Sequence, residues 1–223
     1  MGSDIPFIVA AMDDVLEENL DKHALKEQRD MAYDYRNIGI GIMGLADMFV
    51  KLGVRYGSPD SLGIARTLFR FIFRAAVFAS SELAQKRDNF PKYNPAVWDS
   101  EIIAQAFDSE EIDKLKELNA LRNCSLISIA PTGSIGTMLN VSTGVEPFFM
   151  LSYKRRTESL NGESSYYDVE VPVVSQYKQI TGNEDLPDYF VTAADIPWEE
   201  RIKMQGTLQE FCDTAINTCG LGE

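Results

Sequence analysis

The residues best suited to chemistry are four at a turn that follows an apolar strand: Thr132, Gly133, Ser134 and Ile135. The hydroxyls of Thr132 and Ser134 can donate hydrogen bonds, and Gly133 lets the backbone approach a ligand closely. If a helix begins here, its first amides are unpaired and its dipole favours an anion. The pattern predicts a phosphate site that needs no lysine. The alternative is an ordinary N-cap, in which Thr132 or Ser134 accepts from the same amides.

No other combination of residues predicts catalysis. The single histidine, His23, lies in a polar connector, so no catalytic triad is predicted, and neither an HExxH motif nor a P-loop lysine motif occurs. The three cysteines, Cys124, Cys212 and Cys219, are widely spaced and predict neither a disulfide framework nor a metal site. Cys124 lies in the strand before the turn, and we expect it to be a small buried apolar residue rather than a nucleophile.

A second glycine-rich segment places Gly39, Gly41 and Gly44 at the spacing of a GxGxxG motif. A dinucleotide-binding fold would need an acidic residue at the end of the next strand, about 20 residues on. Asp60 stands near that distance but follows a Ser-Pro pair, which is typical of a helix start. We therefore favour tight packing between a short buried strand and the helix that follows it.

The elements that must position these residues alternate between helices and short strands. Helical spacing of apolar residues predicts two helices within the first 35 residues and further helices over 58–87, 101–121, 173–179 and 198–215. In the first helix, Asp13, Asp14 and Glu17 occupy the polar face. Alternating β-branched residues predict strands at the glycine-rich segment, over 123–130 and over 145–153, with a helix or turn over 135–139. The order predicts an α/β or α+β fold in a single unit, 1–223.

Composition limits the class of protein. The 223 residues include 34 acidic and 21 basic side chains, a net charge of −13, which argues against a nucleic-acid partner. No apolar run approaches the ~20 residues of a membrane helix, and residues 1–6 lack the features of a secretory signal. We therefore expect a cytoplasmic protein without a membrane partner. The one dense basic cluster, residues 154–156, either balances acidic neighbours or supplies a counter-charge to a phosphate.

Five motifs in this order resemble the catalytic large chain of ribonucleotide reductase: residues 35–47, 121–123, 129–135, 144–147 and 153–155. The resemblance extends over nearly the whole chain. It implies an α/β fold, part of the family's ten-stranded α/β barrel and incomplete in this chain. It also implies that Thr132, Gly133, Ser134 and Ile135 hold the phosphates of a ribonucleotide substrate.

The resemblance also implies what this chain lacks. The family's thiyl radical forms on a cysteine within an Asn-x-Cys-x-Glu motif, which is absent here. We therefore expect no catalytic residue, no metal ligand and no cofactor bound by this segment, and no turnover by it alone. The intact enzyme would use adenosylcobalamin or a metal-radical subunit, and the character of residues 157–167 favours adenosylcobalamin. Tyr166 and Tyr167 are interpreted as packing or surface residues rather than as a radical-transfer pair.

The tail, residues 217–223, departs from the family's pattern. A cut in the chain, a split gene and an intein beginning at Cys219 are alternative explanations. The leading hypothesis is a piece of the reductase large chain that acts with the rest of that chain on a ribonucleotide, with a radical-generating subunit as a further partner. The alternatives are a stand-alone phosphate- or nucleotide-binding or accessory chain without catalysis, and a degenerate remnant. Because an incomplete barrel exposes strand edges, we expect association or poor solubility.

Overall fold

The computed structural model describes residues 4–158 and 164–216, with the backbone alone described at 155–158, 164 and 165. The chain divides into two compact units. Unit 1 is built from the described parts of Met1–Gly41, Ile64–Ile129 and Gln205–Ile216, and unit 2 from those of Ile42–Gly63 and Ala130–Met204. The expectation of a single unit stays a prediction.

The described residues are mostly helical. The α-helices are α1 (Asp4–Asn19), α2 (Lys26–Tyr35), α3 (Leu45–Lys51), α4 (Pro59–Arg87), α5 (Glu101–Ala106), α6 (Ser109–Leu118), α7 (Gly133–Leu139), α8 (Pro172–Thr181) and α9 (Trp198–Gln209). Strands β1 (Ser152–Glu158) and β2 (Ser164–Glu170) pair antiparallel, with Ser152 opposite Glu170. None of the described helices combines the length with the apolar composition that a membrane-spanning segment needs.

Local sequence explains where several helices begin and end. Pro59 occupies the first position of α4, as predicted. The single helix predicted over 101–121 is wrong, because Asp108 caps a new helix: its carboxylate accepts from the amide of Glu111 at 2.9 Å, and the Glu111 carboxylate accepts from the amide of Asp108 at 3.1 Å. The helix predicted over 198–215 is also too long, since α9 ends at Gln209.

Three extended segments of unit 1 pair in parallel through isolated bridges, Ile40 with Ile127 and Ile129 with Ile216. The amide of Ile40 donates to the carbonyl of Leu126 at 2.7 Å. Ile40, Ile127 and Ile129 are buried, so these segments form part of the core. The strand predicted over 123–130 is therefore extended, but it pairs only at single positions.

The spacing of Gly39 and Gly41 is explained by this pairing. A Cβ at Gly39 would lie 2.8 Å from the Cβ of Ser128, and one at Gly41 would lie 2.6 Å from the carbonyl oxygen of Ser128. Tight packing is thus confirmed, although at these two glycines the neighbour is a second extended segment rather than a helix. The strand predicted over 145–153 is mostly wrong, since only Phe148 forms a bridge, with Thr192, before β1 begins at Ser152.

A charged cluster lies in the core of unit 1. Asp13, expected on the polar face of the first helix, is fully buried. Its carboxylate accepts from Arg36 Nε at 2.9 Å and from Arg122 Nε at 3.2 Å, and it also pairs with Arg87 and accepts from the side-chain Nδ2 of Asn123. Burial by itself would raise the pKa of Asp13, but the hydrogen bonds and charges of Arg36, and then of Arg122, hold that pKa below its ordinary value.

Candidate functional site: the 132–135 loop

The predicted turn lies in unit 2, at the start of α7. Thr132 is the N-cap residue and adopts a left-handed conformation, with φ 46° and ψ 27°. Its carbonyl oxygen accepts from the amide of Gly136 at 2.8 Å, which begins the helix. The side chain of Thr132 does not cap the helix. Its Oγ1 instead accepts from the amide of Gly144 at 2.8 Å, so the structure does not support the alternative of an ordinary N-cap.

Within the part of the chain that the structure describes, the first amides of α7 face no protein acceptor. Among the hydrogen bonds of the described residues, none is donated by the backbone amides of Gly133, Ser134 or Ile135. All three residues are exposed. An anion can therefore reach these amides without displacing a protein contact, and the dipoles of the first turn favour its negative charge.

The segment after α7 folds back against the same helix. The amide of Val141 donates to the carbonyl of Gly136 at 3.0 Å. A Cβ at Gly136 would lie only 3.2 Å from both Val141 O and Thr143 Cγ2. A side chain at 136 would therefore push the returning segment by a few tenths of an ångström, and that segment supports the turn from one side.

Helix α3 holds this returning segment through both backbone groups of one residue. The amide of Gly44 donates to the carbonyl of Ser142 at 2.8 Å, and the Asp47 carboxylate accepts from the amide of Ser142 at 2.6 Å. Gly44 has φ +82°, a left-handed conformation that glycine adopts without strain. Asp47 is 5% exposed. Sequence reasoning missed Asp47, although an acidic residue in the first turn of a helix is a recognisable signal.

Charge around the loop is only partly described. Lys154 is exposed, whereas the side chains of Arg155 and Arg156 lie outside the described residues. The counter-charge suggested for this basic cluster therefore stays a prediction. No group of three His, Cys, Asp or Glu residues within 4–158 and 164–216 is arranged to hold a metal ion.

The structure describes two of the three cysteines and both tyrosines that the sequence singled out. Cys124 is exposed, so the expectation of a buried residue is wrong; the chain bends there, and its amide donates to the carbonyl of Tyr35 at 3.0 Å. Partial burial of the sulfur, followed by the charge of Asp213, raises the pKa of the Cys124 thiol and disfavours the thiolate. Cys212 is buried, and Cys219 lies outside the described residues. Tyr166 and Tyr167 are 66% and 57% exposed, so they are surface rather than packing residues in this chain, and the expectation that they are not a radical-transfer pair stays a prediction.

Comparison with known proteins identifies the family. Residues 2–219 match the family model described as the barrel domain of ribonucleotide reductase. The chain belongs to this family.

Curated relatives are similar over nearly the whole chain. A vitamin B12-dependent ribonucleoside-diphosphate reductase of Thermoplasma acidophilum is 29% identical over 92% of this chain and 27% of its own length. One with the same description from Mycobacterium tuberculosis is 26% identical over 94% of this chain and 30% of its own length. A ribonucleoside-diphosphate reductase subunit alpha of Chlamydia trachomatis is 24% identical over 96% of this chain and 24% of its own length. The chain thus spans less than a third of each of these relatives.

Proposed function

We propose that this chain supplies the substrate-phosphate loop of a ribonucleotide reductase, which reduces the 2′-hydroxyl of a ribonucleotide by radical chemistry. The observation that carries the proposal is the set of unpaired, exposed amides at Gly133, Ser134 and Ile135, in a chain of the reductase barrel family. In the complete enzyme, these residues and the parallel segments of unit 1 would belong to a ten-stranded α/β barrel, which the rest of the large chain completes.

The loop offers phosphate two kinds of donor. The amides of Gly133, Ser134 and Ile135 supply backbone N–H groups at a helix start. The hydroxyl of Ser134 is exposed and adds a side-chain donor. Because Thr132 Oγ1 accepts from Gly144, the hydroxyl proton of Thr132 remains to be donated to a phosphate oxygen. Together these groups can hold an anion without a cationic side chain.

The radical source belongs to the rest of the enzyme in this proposal. Adenosylcobalamin is favoured, because relatives from two organisms are described as vitamin B12-dependent; a separate radical-generating subunit is the alternative. The described residues do not fit a corrinoid at the apolar crevice of unit 2. This crevice is lined by Ala46, Phe49, Val50, Val54, Tyr56, Pro147, Phe148, Tyr189 and Val191, and it has no interior space for even a water-sized molecule.

The test is steady-state kinetics of the complete large chain, with a ribonucleoside diphosphate as substrate. Thr132→Val and Ser134→Ala each remove one hydroxyl donor. We expect each to raise KM by about tenfold with little change in kcat, because a bond to a charged group is lost from substrate binding. Thr181→Val is the matched control, since Thr181 is exposed at the end of α8 and its hydroxyl makes only local contacts, donating to Tyr177 O and accepting from the amide of Asn183. An unchanged KM in both loop variants would reject the phosphate role.

The same preparation distinguishes the alternative of a stand-alone binding chain. The 223-residue chain by itself should show no reductase turnover, because it has no Asn-x-Cys-x-Glu motif. Tight binding of a ribonucleotide by the chain alone, undiminished by Thr132→Val, would favour a binding module that uses another site.

A further inference from the structure

We propose that Asp47 is a positioning residue for the substrate phosphate. Its carboxylate would act through the backbone of Ser142 and Gly144 to orient Thr132, without touching the substrate itself. This inference rests on the proposed function of the 132–135 loop.

Helix α3 contacts the backbone of Ser142 directly. Asp47 is the third residue of α3, and its carboxylate oxygen lies 2.6 Å from the amide nitrogen of Ser142. Gly44, the N-cap residue of the same helix, donates to the carbonyl of Ser142 at 2.8 Å. The first turn of α3 therefore clamps Ser142 by its donor and its acceptor at once, which leaves little freedom for that peptide to shift or rotate.

The segment that begins at Ser142 contacts the 132–135 loop through Gly144. Two residues further on, the amide of Gly144 donates to Thr132 Oγ1 at 2.8 Å. This bond occupies an acceptor site of the hydroxyl and so limits the direction in which Thr132 can donate its own proton. It also draws the Thr132 side chain away from the first amides of α7, where it would otherwise act as a cap. The position of Gly144 thus decides whether those amides stay open to an anion.

Substitutions at Asp47 can distinguish whether the position of its oxygen or its negative charge holds Ser142. The Ser142 amide needs only an oxygen acceptor at the right distance, which Asn offers in nearly the same place as Asp. Glu keeps the negative charge but carries its oxygens one methylene further from the helix. The Ser side chain also carries a neutral oxygen, but it is too short for that oxygen to reach the amide of Ser142. If Asp47 acts by position, Asn should substitute for it, whereas Glu and Ser should not.

The experiment measures KM and kcat for a ribonucleoside diphosphate with the complete large chain. We expect Asp47→Glu and Asp47→Ser to raise KM by about tenfold, the effect of one misplaced hydrogen bond, with kcat within about twofold. Asp47→Asn should keep KM within about twofold of the parent. Asp60→Glu is the matched control, because Asp60 lies in the first turn of α4 and is exposed.

The outcomes distinguish a failure of the positioning role of Asp47 from a failure of the phosphate role of the loop. If Thr132→Val raises KM but Asp47→Glu and Asp47→Ser do not, the loop holds phosphate and the positioning role is wrong. If Thr132→Val and Ser134→Ala leave KM unchanged, the proposed function fails and the inference with it. An Asp47→Asn variant as impaired as Asp47→Glu would show that a neutral oxygen in the right place does not substitute for the carboxylate, which would overturn a role by position alone. If thermal unfolding shows that neither Asp47→Glu nor Asp47→Ser folds, Asp47 is a stabilising residue and the proposal is wrong.

Discussion

Two buried carboxylates in this chain are held in different ways. Asp13 in unit 1 is fully buried, and side-chain cations surround it, with Arg36 and Arg122 within 3.2 Å. Asp47 in unit 2 is nearly as buried, at 5% exposed, and accepts from the backbone amide of Ser142. The first joins side chains that are far apart in the sequence, whereas the second holds one peptide of a loop.

The difference indicates what each site tolerates. A buried carboxylate among guanidinium groups compensates charges that are shielded from water, so removing it takes away the buried part of that compensation. Arg36, for example, has a side chain that is only 1% exposed. A carboxylate that accepts from a backbone amide acts by placing an oxygen at hydrogen-bond distance, and a neutral oxygen can do the same. Asp13 should therefore govern stability, and Asp47 should govern the shape of the loop.

The largest expected effect is that of Asp13→Ala. Because the substitution removes the buried partner of Arg36 and leaves it only the exposed Glu17 carboxylate at 2.7 Å, we expect a loss of about 3 kcal/mol in the free energy of unfolding. Urea denaturation of the complete large chain, followed by circular dichroism, measures it. Asp30→Ala is the control, since Asp30 pairs with Lys26 on the exposed surface of α2 and should cost at most ~1 kcal/mol. Equal losses would mean that the Asp13 cluster is not stabilising.

Gly41→Ala should weaken unit 1 without changing its charges. The added Cβ would lie 2.6 Å from the carbonyl oxygen of Ser128, so the paired segments must separate. We expect a cost of about 1–3 kcal/mol by the same denaturation assay. Gly206→Ala is the matched control in α9, where nothing lies within 4 Å of the new Cβ, and it should stabilise by about 0.5–1 kcal/mol. A neutral Gly41→Ala would contradict the close approach.

The pH dependence of stability should also report on Asp13. Its pKa is lower in the folded chain than in the unfolded one, so its contribution is complete above the unfolded value of ~4 and is lost as the pH falls through the folded value. Asp13→Asn should therefore make the decline in unfolding free energy shallower on acidification below about pH 4.

Asp213 provides a control of opposite sign. Burial raises the pKa of Asp213, although its carboxylate accepts from the amides of Leu126 and Ile127. Its contribution therefore falls as the pH rises through that raised value. Asp213→Asn should not make the acid decline shallower, and the same acid slope in Asp13→Asn and the parent chain would contradict the assignment to Asp13.

The smallest expected effect is that of Asp47→Asn on stability. Because the amide oxygen of Asn can still accept from Ser142, we expect a change below about 1 kcal/mol in the free energy of unfolding, clearly less than for Asp13→Asn. The two variants are compared side by side in urea. Equal losses from Asp13→Asn and Asp47→Asn would erase the distinction between the two carboxylates.

Several features of the fold follow from local sequence. The apolar spacing of α1 and α4, the Pro59 start and the glycine-rich approach at Gly39 and Gly41 were all predictable, because each depends on neighbouring residues. The break at Phe107 was predictable too, from the Asp108–Glu111 capping pair, but the helical periodicity on either side masked it. The short bridges of unit 1 were predicted too long, since pairing depends on partners elsewhere in the chain.

The 132–135 loop was likewise predictable only in part. Thr132, Gly133, Ser134 and Ile135 were selected from their types and their place after an apolar strand, and the motifs assigned the reductase family. The sequence did not reveal that the Thr132 hydroxyl binds Gly144 rather than the helix start, because the left-handed turn and the return of the chain after α7 decide it.

The sequence by itself determined the positions of most helices and the family, and it selected the four loop residues proposed to hold phosphate, since periodicity, turn chemistry and motifs are contained in short stretches. Only the tertiary structure decided the roles of the two acidic residues. Asp13 belongs to the polar face of α1 by pattern, yet it is buried by partners such as Arg122, 109 positions away. Asp47 meets Ser142 across 95 positions. A carboxylate's role depends on what surrounds it, and long-range packing sets those surroundings.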